Sequence, residues 1–180
     1  QTKELSYNVK YFKDGIEVEA DAYTVKEKVW VNAPNMINVK TIDTSNTRYT
    51  GYKFDKTNPD VVPTNIANES TINVYYVKDI TQTKELSYNV KYYIDGVEVT
   101  GDAYTEKQIV WINDDNMIDV KEISKENNRY TGYKFDRTDP QTIPSTILSG
   151  STIKVYYVKD ETQTKELSYN VKYFKDGIEV

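Results

Sequence analysis

The 180-residue sequence contains no cysteine and no histidine. Without cysteine there is no disulfide to brace a small domain and no thiol nucleophile. Without histidine the usual general base is missing, and the two absences together remove the usual soft metal ligands. The lack of cysteine identifies no compartment. No apolar run approaches the roughly 18 to 20 residues that a membrane-spanning helix requires. No charged-then-apolar leader opens the chain, so membrane insertion is not expected within it, and any export signal or anchor is expected outside it. The 23 basic residues are scattered among 28 acidic ones, for a net charge of −5, rather than gathered in a stripe. That distribution argues against nucleic acid as a partner.

What is present is repetition. The string QTKELSYNVKYFKDGIEV at Gln1 returns letter for letter at Gln163, with a near-copy at Gln82, a spacing of 81 residues each time. The boundaries read as repeat one at 1–81, repeat two at 82–162 and the first hairpin of a third repeat at 163–180. Such a chain is expected to be part of a longer array, and repetition builds length or multivalency rather than a unique reaction centre. Hydrophobic residues make up 38% and charged residues 28%, enough apolar material for packed domains. The linker Lys78–Lys84, KDITQTK, has no glycine or serine tract and is not built for freedom.

Within one repeat, Leu5-Ser6-Tyr7-Asn8-Val9-Lys10-Tyr11 alternates apolar and polar residues, which predicts a strand with Leu5, Tyr7, Val9 and Tyr11 on one face. Asp14-Gly15 suits a tight hairpin turn into Ile16-Glu17-Val18. Val29-Trp30-Val31 predicts a short strand, Ile37-Asn38-Val39-Lys40 a strand or brief helix, and Arg48 to Asp55 an extended segment. Pro59 and Pro63 predict an irregular crossing loop. Thr71 to Val77, rich in β-branched and aromatic residues, predicts a central strand.

The order LSYNVKYFKDGIEV, TGYKFDKTNPDVVP, STINVYYVKD resembles the MucBP (mucin-binding protein) repeats of Gram-positive surface adhesins. The resemblance implies a mostly β, β-grasp-like domain, repeated in an elongated tandem array; small β-sandwich repeats are the alternative. It also implies an extracellular, cell-wall-attached protein and mucin glycans as partners, although such repeats also serve to space a distal binding domain from the cell.

The residue types and their spacing predict no enzyme, no cofactor and no metal. Ser6 and Lys10 lie four apart in a strand, about 13 Å at strand rise, and make no dyad. Asp55 and Asp60 are matched by Asp136 and Gln141, so no acid pair is shared. The oxygens of Asn113, Asp114, Asp115 and Asp119 are matched by Asn32, Ala33, Pro34 and Asn38, which reads as a solvated turn rather than a calcium site. Surface proteins of the resembled class carry Lys–Asn isopeptide bonds, and Lys10 and Asn73 are the pair to test; Lys154 replaces the asparagine in repeat two. Among the 17 tyrosines, those within strand alternation are expected in the core. Tyr23, Tyr49 and Tyr52, with counterparts Tyr104, Tyr130 and Tyr133, flank loops and are the glycan-contact candidates.

The two whole repeats agree at about two-thirds of positions. Lys13 becomes Ile94, Lys28 becomes Ile109, and Ile80 becomes Glu161. Isoleucine in place of charge predicts an apolar inter-repeat interface at Ile80, Ile94 and Ile109. Residues 163–180 match 1–18 without change while 82–99 differ, which predicts an alternating array. A lone hairpin is marginal in water, so 163–180 is expected to fray, pack on repeat two or self-associate by exchange with another chain.

Overall fold

Period-two alternation places the core. In a computed structural model describing all residues, Gln1–Val180, strand β1 (Thr2–Lys13) turns Leu5, Tyr7, Val9 and Tyr11 inward, each 2% exposed or less. Asp14 and Gly15 then adopt positive φ values of 46° and 82°, the backbone a two-residue hairpin needs, and β2 (Ile16–Glu17) pairs back on the end of β1. A single 3-10 turn, Glu19–Asp21, leads into β3 (Tyr23–Trp30), which runs antiparallel to β1 from Thr2↔Trp30 to Val9↔Tyr23. There follow β4 (Met36–Asn38), β5 (Tyr52–Asn58), β6 (Asn65–Ala67) and β7 (Ser70–Lys78).

Strand β7 is central. It pairs parallel with β1, from Tyr7↔Ser70 to Lys13↔Tyr76, and antiparallel with β5 across a register shift between Phe54 and Lys56. First and last strands side by side and parallel at the middle of a mixed sheet is the β-grasp arrangement. No α-helix covers its face. The small antiparallel ribbon of β4 and β6 and the loops beside it supply the second layer: Ile37 joins Leu5, Tyr7, Val9, Tyr11, Ile72, Val74 and Tyr76 in one buried cluster, flanked by Val39, Ile42, Val62 and Ile66. The fold is therefore nearly all β, with a sandwich-like second layer.

Repeat two builds the same elements: β8 (Thr83–Ile94), β9 (Val97–Glu98), β10 (Tyr104–Trp111), β11 (Met117–Asp119), β12 (Tyr133–Asp139), β13 (Thr146–Leu148) and β14 (Thr152–Lys159), with sheet order β10-β8-β14-β12. The chain divides into two compact units, one of Gln1–Glu85 with Ile109–Asp115 and one of Leu86–Gln108 with Asn116–Val180. Near the end, β15 (Phe174–Lys175) and β16 (Ile178–Glu179) form a hairpin. Leu167, Tyr169, Val171 and Tyr173 are exposed, Tyr169 at 87%, although Leu5, Tyr7, Val9 and Tyr11 in the identical sequence are core. The same alternation buries only where a second layer lies over it.

Three expectations need correction. The extended segment expected from Arg48 begins only at Tyr52, because residues 46–51 turn; Asn46 Oδ1 accepts from the Phe54 N–H at 2.8 Å and holds that turn against β5. The short strand expected at Val29–Val31 is the end of the eight-residue β3, which stops at Trp30, and Val31 begins the next turn. Of the two readings of Ile37–Lys40 the strand holds, paired with β6 inside what read as an uninterrupted crossing loop.

Candidate functional site

Two side-chain clusters stand out, one of them present in both repeats. In the first repeat the turn at 46–51 delivers Arg48 onto the core tyrosines. Its guanidinium lies 3.8 Å from the Tyr11 ring centroid, donates to Asp43 Oδ2 at 3.0 Å and pairs with Asp21 at 3.4 Å. The Tyr49 hydroxyl also donates to Asp21, and the Tyr49 ring stands edge-on to Tyr76 at 4.9 Å. The Tyr11 and Tyr76 hydroxyls donate to the carbonyls of Asp43 and Ser45 at 3.2 and 3.0 Å. Repeat two preserves the cluster: Arg129 lies 3.9 Å from the Tyr92 centroid and reaches Asp102 at 3.3 Å, and Tyr130 is edge-on to Tyr157 at 4.9 Å. Ser124 stands where Asp43 was, so Arg129 lacks the second carboxylate.

Burial, which penalises a phenolate, pushes Tyr11 and Tyr49 up and takes Tyr23, Tyr76 and Tyr104 to about 12. Burial alone would lower Arg48, but hydrogen bonds to Tyr49 and Asp43 outweigh it and hold the guanidinium above its ordinary value. The phenols stay protonated donors and the arginine stays charged. The phenols thus supply no phenolate, and the carboxylates of Asp21 and Asp43 are engaged by Arg48 and Tyr49; the cluster latches the 46–51 turn to the sheet.

The second cluster lies inside the first compact unit, around Gly51. Gly51 has φ +84°, its N–H donates to Gln82 Oε1 at 2.8 Å, and its carbonyl accepts from the Asp79 N–H at 2.8 Å. On this seat rests Trp111, at the end of β10. Its Nε1–H is shared between the carbonyls of Gly51 and Asp79 at 3.0 and 3.1 Å, its ring is edge-on to Tyr52 at 5.4 Å, and Lys78 Nζ sits 4.2 Å from its centroid. Asn113 Nδ2 donates to the Thr50 carbonyl at 2.7 Å. A Cβ on Gly51 would lie 2.4 Å from Asn113 Nδ2 and 2.8 Å from Trp111 Cζ2, so only glycine admits the indole this close.

The expected site residues are placed as follows. Ile80 and Ile109 are 76% and 70% exposed, and Ile94 is half-buried. The apolar contact expected at Ile80 and Ile109 is thus not made by them, because both side chains stay in solvent; Trp111 and Asn113 supply the packing in that unit instead. Tyr49 and Tyr130 are locked in the arginine clusters, and Tyr52 is a wall of the Trp111 seat. Tyr133 occupies the matching place in repeat two. Tyr23 and Tyr104 are 40% and 36% exposed. Asn113 and Asp114 are engaged in the turn they share with Trp111, Asp114 Oδ2 accepting from the Trp111 N–H at 3.2 Å. Lys10 and Asn73 are register partners on β1 and β7, with Lys10 Nζ paired to Glu17 at 3.1 Å and Asn73 Oδ1 buried without a hydrogen-bond partner; in repeat two, Lys91 faces Lys154.

A surface groove recurs in both repeats beside β4 and β11. It measures about 330 Å³ between Val39–Ile42 and Val62–Thr64, and about 380 Å³ between Val120–Ile123 and Ile143–Ser145. Valine, isoleucine, proline, threonine and lysine line it, joined by Glu122 and Ser145 in repeat two, and no aromatic ring does. A smaller concavity of about 120 Å³ is bordered by Asn8, Lys10 and Tyr23.

No family model and no curated protein matches the chain. Among solved structures, it is similar to domains 3–4 of the Streptococcal High Identity Repeats in Tandem (SHIRT) from a cell surface protein, with 10% identity over 87% of this chain and 98% of that one and a TM-score of 0.41. It is also similar to the type 2 repeat of the mucus binding protein MUB from Lactobacillus reuteri, with 14% identity over 87% and 100% of the two chains and a TM-score of 0.28. A third likeness is to Mub-RV, with 12% identity over 87% and 99% and a TM-score of 0.22.

Proposed function

We propose that this chain is a structural stalk segment of an extracellular, cell-wall-attached bacterial adhesin, whose repeats project a separate binding domain. The observation that carries this reading is the use of the aromatic side chains. A sugar needs an open ring face with hydrogen-bonding groups around it, whereas Tyr7, Tyr11 and Tyr76 with their repeat-two counterparts are spent on the core, Tyr49 and Tyr130 on the arginine latch, and Tyr52 on the Trp111 seat. The groove that recurs in both repeats mixes aliphatic with charged and hydroxyl side chains and has no aromatic ring for a sugar to stack on. A latch that holds loops and a seat that holds a tryptophan stiffen a repeat; they catalyse nothing. The tandem sequence and its resemblance to MucBP repeats support placement on the surface of a Gram-positive cell.

One observation favours a second reading, weak multivalent binding of mucin-type glycans. Tyr23 and Tyr104 keep partly exposed rings at the same place in both repeats, and two such sites in one chain would add by avidity. Titration of the full chain with mucin-type O-glycans, followed by amide and aromatic chemical shifts, separates the readings. The stalk reading expects no shift at Tyr23 or Tyr104 up to roughly millimolar sugar, the weak limit at which avidity is still useful; saturable shifts at both would overturn it.

A further inference from the structure

We propose that the outer edge of β10, centred on Ile109, is a self-association edge that pairs antiparallel with β10 of a second copy of this chain, Ile109 against Ile109. The inference goes beyond the stalk reading and stands whether or not the repeats bind sugars. It gives a role to an exposed isoleucine that packs against nothing in its own chain.

Strands β3 and β10 are outer strands, each joined to its sheet along one side only, β3 to β1 and β10 to β8. Their other sides are open edges. The edge is exposed in repeat one, which has a whole repeat after it, and in repeat two, which has a whole repeat before it: Lys26, Glu27 and Lys28 are exposed in the first, and Ile109 is 70% exposed in the second. Its exposure therefore does not come from the ends of the chain. The Ile112 N–H donates inward to the Gln82 carbonyl at 2.8 Å, and the Trp111 N–H turns the other way, to Asp114 Oδ2 at 3.2 Å. Ladder alternation then points the N–H and C=O of Ile109 outward, where they can exchange hydrogen bonds with a second strand.

The two repeats furnish this edge differently. Repeat one sets Lys26-Glu27-Lys28 along it, and charge, lysine above all, keeps an open edge from pairing. A two-fold pairing of β3 through Lys28 would set two lysines directly opposite one another, which is destabilising. Repeat two has Lys107-Gln108-Ile109 in the same places. The same two-fold pairing through Ile109 sets isoleucine on isoleucine, Gln108 opposite Val110 and Lys107 opposite Trp111, with no like charges opposed. Repeat two also braces the strand. Glu106 pairs with Lys121 at 2.6 Å, and Gln108 Oε1 accepts from the Asp119 N–H at 3.2 Å, where Val25 and Glu27 stand in repeat one. The bracing lowers the ordering cost of pairing and turns the single acid of β10 towards β11. One strand pair falls short of the roughly 1,200 Å² that stable complexes bury, so free copies associate weakly.

Sedimentation equilibrium and nitrogen-15 spectra of the full chain, from roughly 20 µM to 1 mM, the range of a weak single contact, test the edge. The weight-average mass is expected to rise from monomer towards dimer, with the Ile109 amide shifting in step. Ile109→Lys, which gives repeat two the residue of repeat one, is expected to weaken association about tenfold or more, since like charges brought together oppose pairing. Lys28→Ile, the reverse exchange, is expected to open the edge of repeat one and carry the mass past dimer. Both side chains are exposed, and unchanged spectra away from the substituted strand report that each variant is folded. A chain that stays monomeric across the whole range would overturn the proposal. So would an Ile109→Lys chain that associates as the parent does, because another surface, such as the exposed 163–180, would then hold the copies together. A Lys28→Ile chain that gains nothing would overturn it too, because the residue at this place would then not decide pairing.

Discussion

Alanine placed at Gly51 and, separately, at Gly132 makes a matched pair of perturbations. Both positions have φ +84°, so each variant bears the same left-handed backbone strain, about 1–2 kcal/mol for a residue with a Cβ. The difference between them isolates the Trp111 contact. At Gly51 the added methyl comes within 2.8 Å of Trp111 Cζ2 and 2.4 Å of Asn113 Nδ2, distances that expel both side chains. Expulsion breaks the shared indole hydrogen bond and the Asn113 bond to Thr50, about 0.5–1.5 kcal/mol each. It also loses the edge-on contact with Tyr52, about 0.5–1.5 kcal/mol, and the partly exposed Lys78 contact, about 0.5 kcal/mol. Contacts sharing one ring are not additive, so Gly51→Ala is expected to be destabilised by about 2–3 kcal/mol beyond Gly132→Ala. Urea unfolding followed by fluorescence in a Trp30→Phe background, where Trp111 is the only indole, measures the difference, and the Trp111 emission of folded Gly51→Ala should shift to the red. Equal losses in the two variants, with Trp111 emission unchanged, would refute the close-approach argument.

Tyr76 is fully buried among Tyr11, Tyr49 and Phe54, so Tyr76→Ala is expected to cost about 3–5 kcal/mol, as for other large aromatic truncations, and calorimetry of the whole chain would show it; a loss below 1 kcal/mol would place the ring outside the core. Tyr23, Tyr76 and Tyr104 titrate near 12 in the fold against about 10 in an unfolded chain. Their contribution to stability is therefore present below pH 10 and lost as pH rises from 10 towards 12, because only the unfolded state releases those protons there. Tyrosinate absorbance with parallel circular dichroism should show late ionisation coupled to unfolding. Lys10 Nζ is paired with Glu17 at 3.1 Å and is partly exposed, so its nitrogen is turned to that carboxylate rather than to Asn73; intact mass is expected to equal that of the unmodified chain, and a loss of one ammonia would indicate a Lys10–Asn73 cross-link.

Strands β1 and β7 were legible because a half-buried sheet face imposes period two, and Leu5-Tyr7-Val9-Tyr11 and Ile72-Val74-Tyr76 obey it. The hairpin at Asp14-Gly15 was legible from turn chemistry alone. Most of β3 was not, since Tyr23, Thr24 and Lys26–Lys28 are exposed on an edge strand and only Val25 and Val29 lean on the core. The three-residue β6 carries too little pattern to be seen between Pro63 and Glu69. The arginine latch was hidden because its members come from five separated segments, Tyr11, Asp21, Asp43, Arg48–Tyr49 and Tyr76, which only the folded sheet brings together. The Trp111 seat left a signal that pointed the other way from the isoleucines, because its residues agree between repeats, Trp30 with Trp111 and Thr50-Gly51-Tyr52 with Thr131-Gly132-Tyr133, whereas the isoleucines were singled out for differing. Ile80, Ile94 and Ile109 differ between repeats and, apart from half-buried Ile94, face solvent.

Small-angle scattering with light scattering, on this chain and on an array twice its length, tests the stalk most directly. Each repeat has an expected radius of gyration of about 12 Å by compact-domain scaling. The account predicts, under dilute conditions, monodisperse monomers whose maximum dimension grows in proportion to repeat number. A maximum dimension that barely changes when the array is doubled would mean that the repeats fold back on one another, and would contradict a stalk.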